Sequence, residues 1–69
     1  MRGFLVIDTE DSREKIEVTH KQINSLIPII KKINKNQNDY ESLTGFELFK
    51  EIVNFTIEDI TSINIVYHN

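Results

Sequence analysis

The sequence predicts an α+β fold of the order ββααβ: a small three-stranded sheet, strand order 2-1-3, built from a β-hairpin and a C-terminal strand, with two helices on one face. Three patterns carry this expectation. A continuous apolar run, Gly3-Phe4-Leu5-Val6-Ile7, is followed by strict alternation at Lys15-Ile16-Glu17-Val18, the signatures of a strand covered on both faces and of a strand with one buried face. Two Thr-initiated capping signals each precede apolar residues at helical spacing. A β-branched and aromatic run, Ser62-Ile63-Asn64-Ile65-Val66-Tyr67, reads as the third strand.

The polar stretch Thr9 to Arg13 joins the first two runs as a hairpin loop. Thr19-His20-Lys21-Gln22 is a capping box, in which the Thr hydroxyl and the Gln side chain satisfy free amides at a helix start. Ile23, Leu26, Ile27, Ile30 and Ile33 then share one helical face. Pro28 removes a backbone bond and crowds the carbonyl of Asn24, so a kink or a second helical piece is expected there. Asn34 to Ser42, polar and without aliphatics, reads as a loop. Thr44-Gly45-Phe46-Glu47 is a second capping box, opening a helix that offers Leu48, Phe49, Ile52, Val53 and Phe55 for burial. Thr56 to Asp59 has a weak capping pattern for an extra turn. Two antiparallel helices would return the chain to the end it left, making the last strand parallel to the first, with Phe4 to Ile7 central.

Strand parity assigns the faces. Leu5, Ile7, Ile16, Val18, Ile63, Ile65 and Tyr67 are expected under the helices. Phe4, Val6 and Val66 are left as an apolar strip on the far face, bordered by Lys15, Glu17, Asn64 and His68.

A chain of 69 residues reads as one domain, 1–69, and buries only about 60 to 65% of its unfolded surface. Small scaffolds usually add disulfides, metals or oligomerisation. With no Cys and only two His, oligomerisation or well-idealised packing remains, and self-association as a homodimer is the expectation. The absence of Cys fits a reducing cytoplasm. The run Phe4 to Ile7 is too short for a signal peptide or membrane span and is broken by Asp8, so no membrane association is expected.

No residue pattern asks for catalysis, a cofactor or a metal. His20 lies in a first helical turn, His68 near the last residue, and neither has an acidic partner at ligand spacing. Asp8, Glu10, Asp11 and Glu14 cluster around the first loop but lack the glycine and regular spacing of a calcium loop. Charge is segregated: Lys21, Lys31, Lys32 and Lys35 occur between Val18 and Asn38 without an acid, whereas Asp39 to Asp59 carries Lys50 as its lone cation. Lys31, Lys32 and Lys35 could touch nucleic-acid phosphate. Lysines in a last helical turn also simply complement the helix dipole. With net charge −3 and no interleaved aromatics, the structural reading is preferred.

Isoleucine occurs twelve times and asparagine seven, while alanine is absent, the bias of an AT-rich coding sequence. In style, the short hairpin, Thr-capped helix and compact frame resemble small host-directed proteins of phages and mobile elements. The expected function is non-enzymatic protein binding, as a regulator or inhibitor of a larger host protein, with Phe4, Val6 and Val66 as contacts. The alternative is a weak nucleic-acid-binding accessory protein using Lys31, Lys32 and Lys35.

Overall fold

A computed structural model describes all residues from Met1 to Asn69. Strand β1 (Arg2–Thr9) turns into β2 (Arg13–Val18), helices α1 (His20–Asn34) and α2 (Phe46–Ile52) follow, and a single 3-10 turn (Ile57–Asp59) leads into β3 (Ile60–His68). The sheet has the order β2-β1-β3. The fold is therefore α+β with the expected ββααβ order. No helix is long and apolar enough to cross a membrane.

The direction of β3 differs from expectation. It pairs with β1 antiparallel, Gly3 opposite Tyr67 and Ile7 opposite Ile63. The reason is the unequal length of the two helices. The fifteen residues of α1 span about 22 Å at ~1.5 Å per residue, carrying the chain along the sheet toward its opposite end. At its start the His20 ring stacks on Tyr67, centroids 5.6 Å apart; at its end Asn34 bonds to Ile63. The seven residues of α2 cover only about 10 Å, too little to bring the chain back. The chain thus re-enters the sheet where Ile60 lies opposite Thr9, and β3 itself makes the return.

Both signatures of the first capping box are present: Gln22 N–H donates to Thr19 Oγ1 at 3.1 Å and Thr19 N–H donates to Gln22 Oε1 at 2.9 Å. Pro28 does not divide the helix; α1 is one segment with Pro28 inside it. Pro28 and Asn24 both face solvent, so water can solvate the carbonyl that loses its donor. Buried residues on either side, Ile23 and Leu26 before and Ile29, Ile30 and Ile33 after, hold both halves on the core. Ile29 takes the fully buried place and Ile27, expected there, is half-buried.

The second capping box does not form. Gly45, at φ −81° and ψ −2°, precedes α2 in helical conformation and no side chain caps the helix. A cap residue needs extended backbone to aim its side chain at the free amides. Here the chain enters α2 from a turn in which Phe46 N–H already donates to Leu43 C=O at 3.1 Å. The helix ends at Ile52, so Val53 is buried beyond it and Phe55 is half-buried in the following loop. The Thr56 to Asp59 turn is present, closed by Asp59 N–H on Thr56 C=O at 2.9 Å.

Leu5, Ile7, Leu26, Ile29 and Phe49 are wholly buried between sheet and helices. Tyr40, in the polar loop expected to stay outside, also joins the core, its ring stacked on Phe46 at 5.8 Å. Its hydroxyl reaches Glu58 Oε1 at 3.5 Å. Desolvation, then the nearby Glu58 carboxylate, raises the phenol above its ordinary pKa.

Candidate functional site: the open sheet face

Parity along the strands brings the predicted contact residues together. Phe4 lies opposite Val66 on β3 and Glu17 on β2; Val6 lies opposite Asn64 and Lys15; Asp8 lies opposite Ser62 and Arg13. All turn away from the helices. Phe4, Val6 and Val66 form one contiguous apolar patch, and each is half-buried.

Long polar side chains lie across Phe4. Arg2 and Lys15 place their cations 5.3 and 4.5 Å from the centroid of the Phe4 ring, where the ring quadrupole attracts positive charge. The His68 ring meets Phe4 edge-on at 5.3 Å, and Lys15 Nζ donates to His68 Nε2 at 2.8 Å. Arg2 forks onto Glu17, Nε to Oε2 at 2.9 Å and Nη2 to Oε1 at 2.8 Å. At the far end Arg13 Nε donates to Asp8 Oδ1 at 2.6 Å and Ser62 Oγ donates to Asp8 Oδ2 at 3.2 Å. The result is an apolar centre bordered by two ion pairs, Arg2–Glu17 and Arg13–Asp8, and by the Lys15–His68 hydrogen bond.

The hydrogen bonds from Arg13 hold the Asp8 carboxyl below its usual range, and those from Arg2 do the same for Glu17. Lys32, bonded to Asp39 at 2.9 Å, lowers that carboxyl too. Because these folded values are depressed, the unfolded chain takes up protons first on acidification. The stabilisation from the three pairs is present above the ordinary carboxylate range near pH ~4 and is lost as pH falls through the folded values. The expected result is a melting temperature level between about pH 7 and 5 that drops below about pH 4. Asp8→Asn should lower the plateau and flatten the acid limb, and about 1 M salt should weaken the pH dependence of the native chain. Thermal denaturation followed by circular dichroism reads all three.

No protein-family model, curated protein or solved structure matches this chain.

The other sequence-predicted residues are dispersed. Lys31, Lys32 and Lys35 gather at the end of α1, but Lys32 is engaged by Asp39, and the Lys35 amide caps the helix on the carbonyls of Lys31 and Lys32. His20 stacks on Tyr67. That tyrosine lies on the helix side as expected yet is 45% exposed, since only the first residue of α1 stacks on it. Of the loop acids, Asp8 joins the open face and Glu14, opposite Ile7, the helix side. Glu10 and Asp11 line a shallow groove of about 500 Å³ with Phe55, Glu58 and Asp59. No group of three or more His, Asp or Glu side chains is placed to hold a metal.

Three contributors were not singled out from sequence. Arg2 and Arg13 share the parity of Phe4, a signal that was legible. The clasp of Asn34 on Ile63 had none, since it joins residues 29 apart in sequence.

Proposed function

We propose that this chain is a non-enzymatic protein-binding module that presents the open sheet face to a larger protein, and that it self-associates. The observation that carries the reading is the one-sided helix cover. One face of the sheet is packed, while the other offers Phe4, Val6 and Val66 within a rim of Arg2, Glu17, Lys15 and Asp8. An apolar centre with a polar rim is the usual anatomy of a protein interface. The side chains that roof the centre are flexible and can move aside when a partner arrives. A cytoplasmic setting, and a role as a phage or mobile-element regulator or inhibitor of a host protein, rest on composition and on the compact frame.

The nucleic-acid reading has less support. Of its three lysines, Lys32 is paired with Asp39, and the other two leave a small positive patch on a chain of net charge −3.

The test is capture from lysate of the source cell, with and without nuclease, comparing the native chain with Val6→Lys and with Lys31, Lys32 and Lys35 together changed to Glu. The expected partner is stoichiometric, survives nuclease and loses at least ~10-fold in affinity on Val6→Lys. A partner indifferent to both Val6→Lys and Phe4→Ser, or one lost on nuclease treatment or with the triple Glu variant, overturns the reading.

A further inference from the structure

Both outer strands have a free edge, and the two edges differ in chemistry. In an antiparallel ladder alternate residues turn N–H and C=O toward the neighbouring strand and the rest turn them away. The Asn34 amide group donates to Ile63 C=O at 2.9 Å and accepts from Ile63 N–H at 2.8 Å. Ile63 is therefore an outward residue of β3. Ile65 and Tyr67 have the same parity, and their outward groups have no partner. On β2 the same alternation turns Arg13, Lys15 and Glu17 outward, and charged edges discourage strand addition. From Ile60 to His68, by contrast, β3 carries no Asp, Glu, Lys or Arg, a property shared by no other strand or α-helix of the fold. It also carries the exposed Tyr67.

We propose that β3 pairs edge to edge and antiparallel with β3 of a second copy, about a two-fold axis at Val66. This deepens the self-association proposed above by naming its surface. Asn34 sets the register. A pairing centred on Ile65 would require Ile63 to bond the second copy's Tyr67, and the backbone groups of Ile63 are already taken by Asn34. Centred on Val66, Ile65 meets the second copy's Tyr67 and Tyr67 meets the second copy's Ile65, so every free outward group beyond the Asn34 clasp within the strand is bonded. The side chains agree with that register. Val66 faces its own counterpart on the open face, where Phe4 is its neighbour on β1, and an apolar row runs unbroken across the axis. On the other face Tyr67 is covered by Ile65 of the second copy. No like-charged Asp, Glu, Lys or Arg side chains meet across the edge, although each chain carries net charge −3.

The geometry supplies its own probe. Val66 and its counterpart would form a non-hydrogen-bonded pair with Cα atoms about 4.5 Å apart, within the ~4.4–6.8 Å range that a disulfide spans. The chain has no cysteine. Oxidised Val66→Cys is expected to run as a reductant-sensitive dimer on a non-reducing gel. Asn64→Cys and His68→Cys are each expected to stay uncrosslinked alone and to join when mixed, since those positions oppose one another. Tyr67→Pro removes an outward N–H without touching the β1 ladder. It should keep the native circular dichroism spectrum and raise the dimer Kd by at least ~10-fold in light scattering. A native chain that stays at 8.1 kDa at all concentrations, with Val66→Cys uncrosslinked, overturns both the edge and self-association. A dimer that persists in Tyr67→Pro keeps self-association and overturns the edge.

Discussion

Replacing Gly45 with alanine is expected to lower the melting temperature by roughly 12–24 °C, and replacing it with valine to leave the chain unfolded at 37 °C. A Cβ at Gly45 would be driven into the Ser25 carbonyl oxygen of α1, with the Ser25 carbonyl carbon at 3.2 Å and the Leu26 Cα at 3.5 Å. These are backbone atoms in the middle of a helix, so no rotamer change relieves the clash. The dihedrals of Gly45, φ −81° and ψ −2°, suit any residue, which makes the requirement one of space and not of backbone conformation. Overpacking costs about 1–3 kcal/mol where side chains can adjust, and a rigid backbone contact belongs at the top of that range. At ~0.05–0.15 kcal/mol per residue a chain of this size holds only about 3–10 kcal/mol in total, and each kcal/mol moves the midpoint by ~4–8 °C. Thr44→Ala is the control. Thr44 makes no capping bond, so its loss should stay within about 0.5 kcal/mol. By contrast, a Cβ on Gly3 would meet the Ile23 Cδ1 methyl at 2.7 Å, and a side-chain tip can move, so Gly3→Ala is the milder substitution.

Asn34→Ala is expected to cost about 2 kcal/mol and to release the middle of β3. Two partly buried backbone groups lose their partners, at about 1 kcal/mol or more each, and the higher helix propensity of alanine offsets only about 0.5 kcal/mol of that. Chemical denaturation reads the energy, and faster hydrogen exchange at the Ile63 amide locates it. Asn34→Asp separates the two bonds. A carboxylate still accepts from the Ile63 N–H but opposes the Ile63 carbonyl, so that variant should be weaker than the native chain at neutral pH and recover part of the difference below about pH 4, where a protonated carboxyl can donate. An unchanged Ile63 exchange rate in the Ala variant would show that the clasp contributes nothing. In the Ala variant Ile63 also joins the free edge, so pairing between copies loses the stop that favours the Val66 register.

The open face shows how far residue patterns reach. Phe4, Val6 and Val66 were legible as neighbours because side chains alternate with a period of two, and that rule needs only the strands to be present. The same parity places Arg2 and Arg13 beside them. What parity does not supply is that Arg2, Lys15 and His68 converge on one ring, because this depends on rotamers chosen after three strands have met. Tyr40 was missed for a related reason. Its neighbours are polar, and only the packing of Phe46 beneath the loop gives the ring somewhere to go.

Residue patterns alone were enough for the order of the elements, the central place of β1, the Thr19 cap and the two faces of the sheet. Each follows from hydrogen bonding or periodicity within a few residues. Tertiary structure decided the direction of β3, the failure of Thr44 to cap α2, the passage of one continuous α1 through Pro28, and the Asn34 clasp that leaves half an edge free. These depend on helix lengths measured against the sheet and on contacts between residues distant in sequence, such as Asn34 with Ile63 and Thr9 with Ile60, where no local pattern records which partner the folded chain brings near.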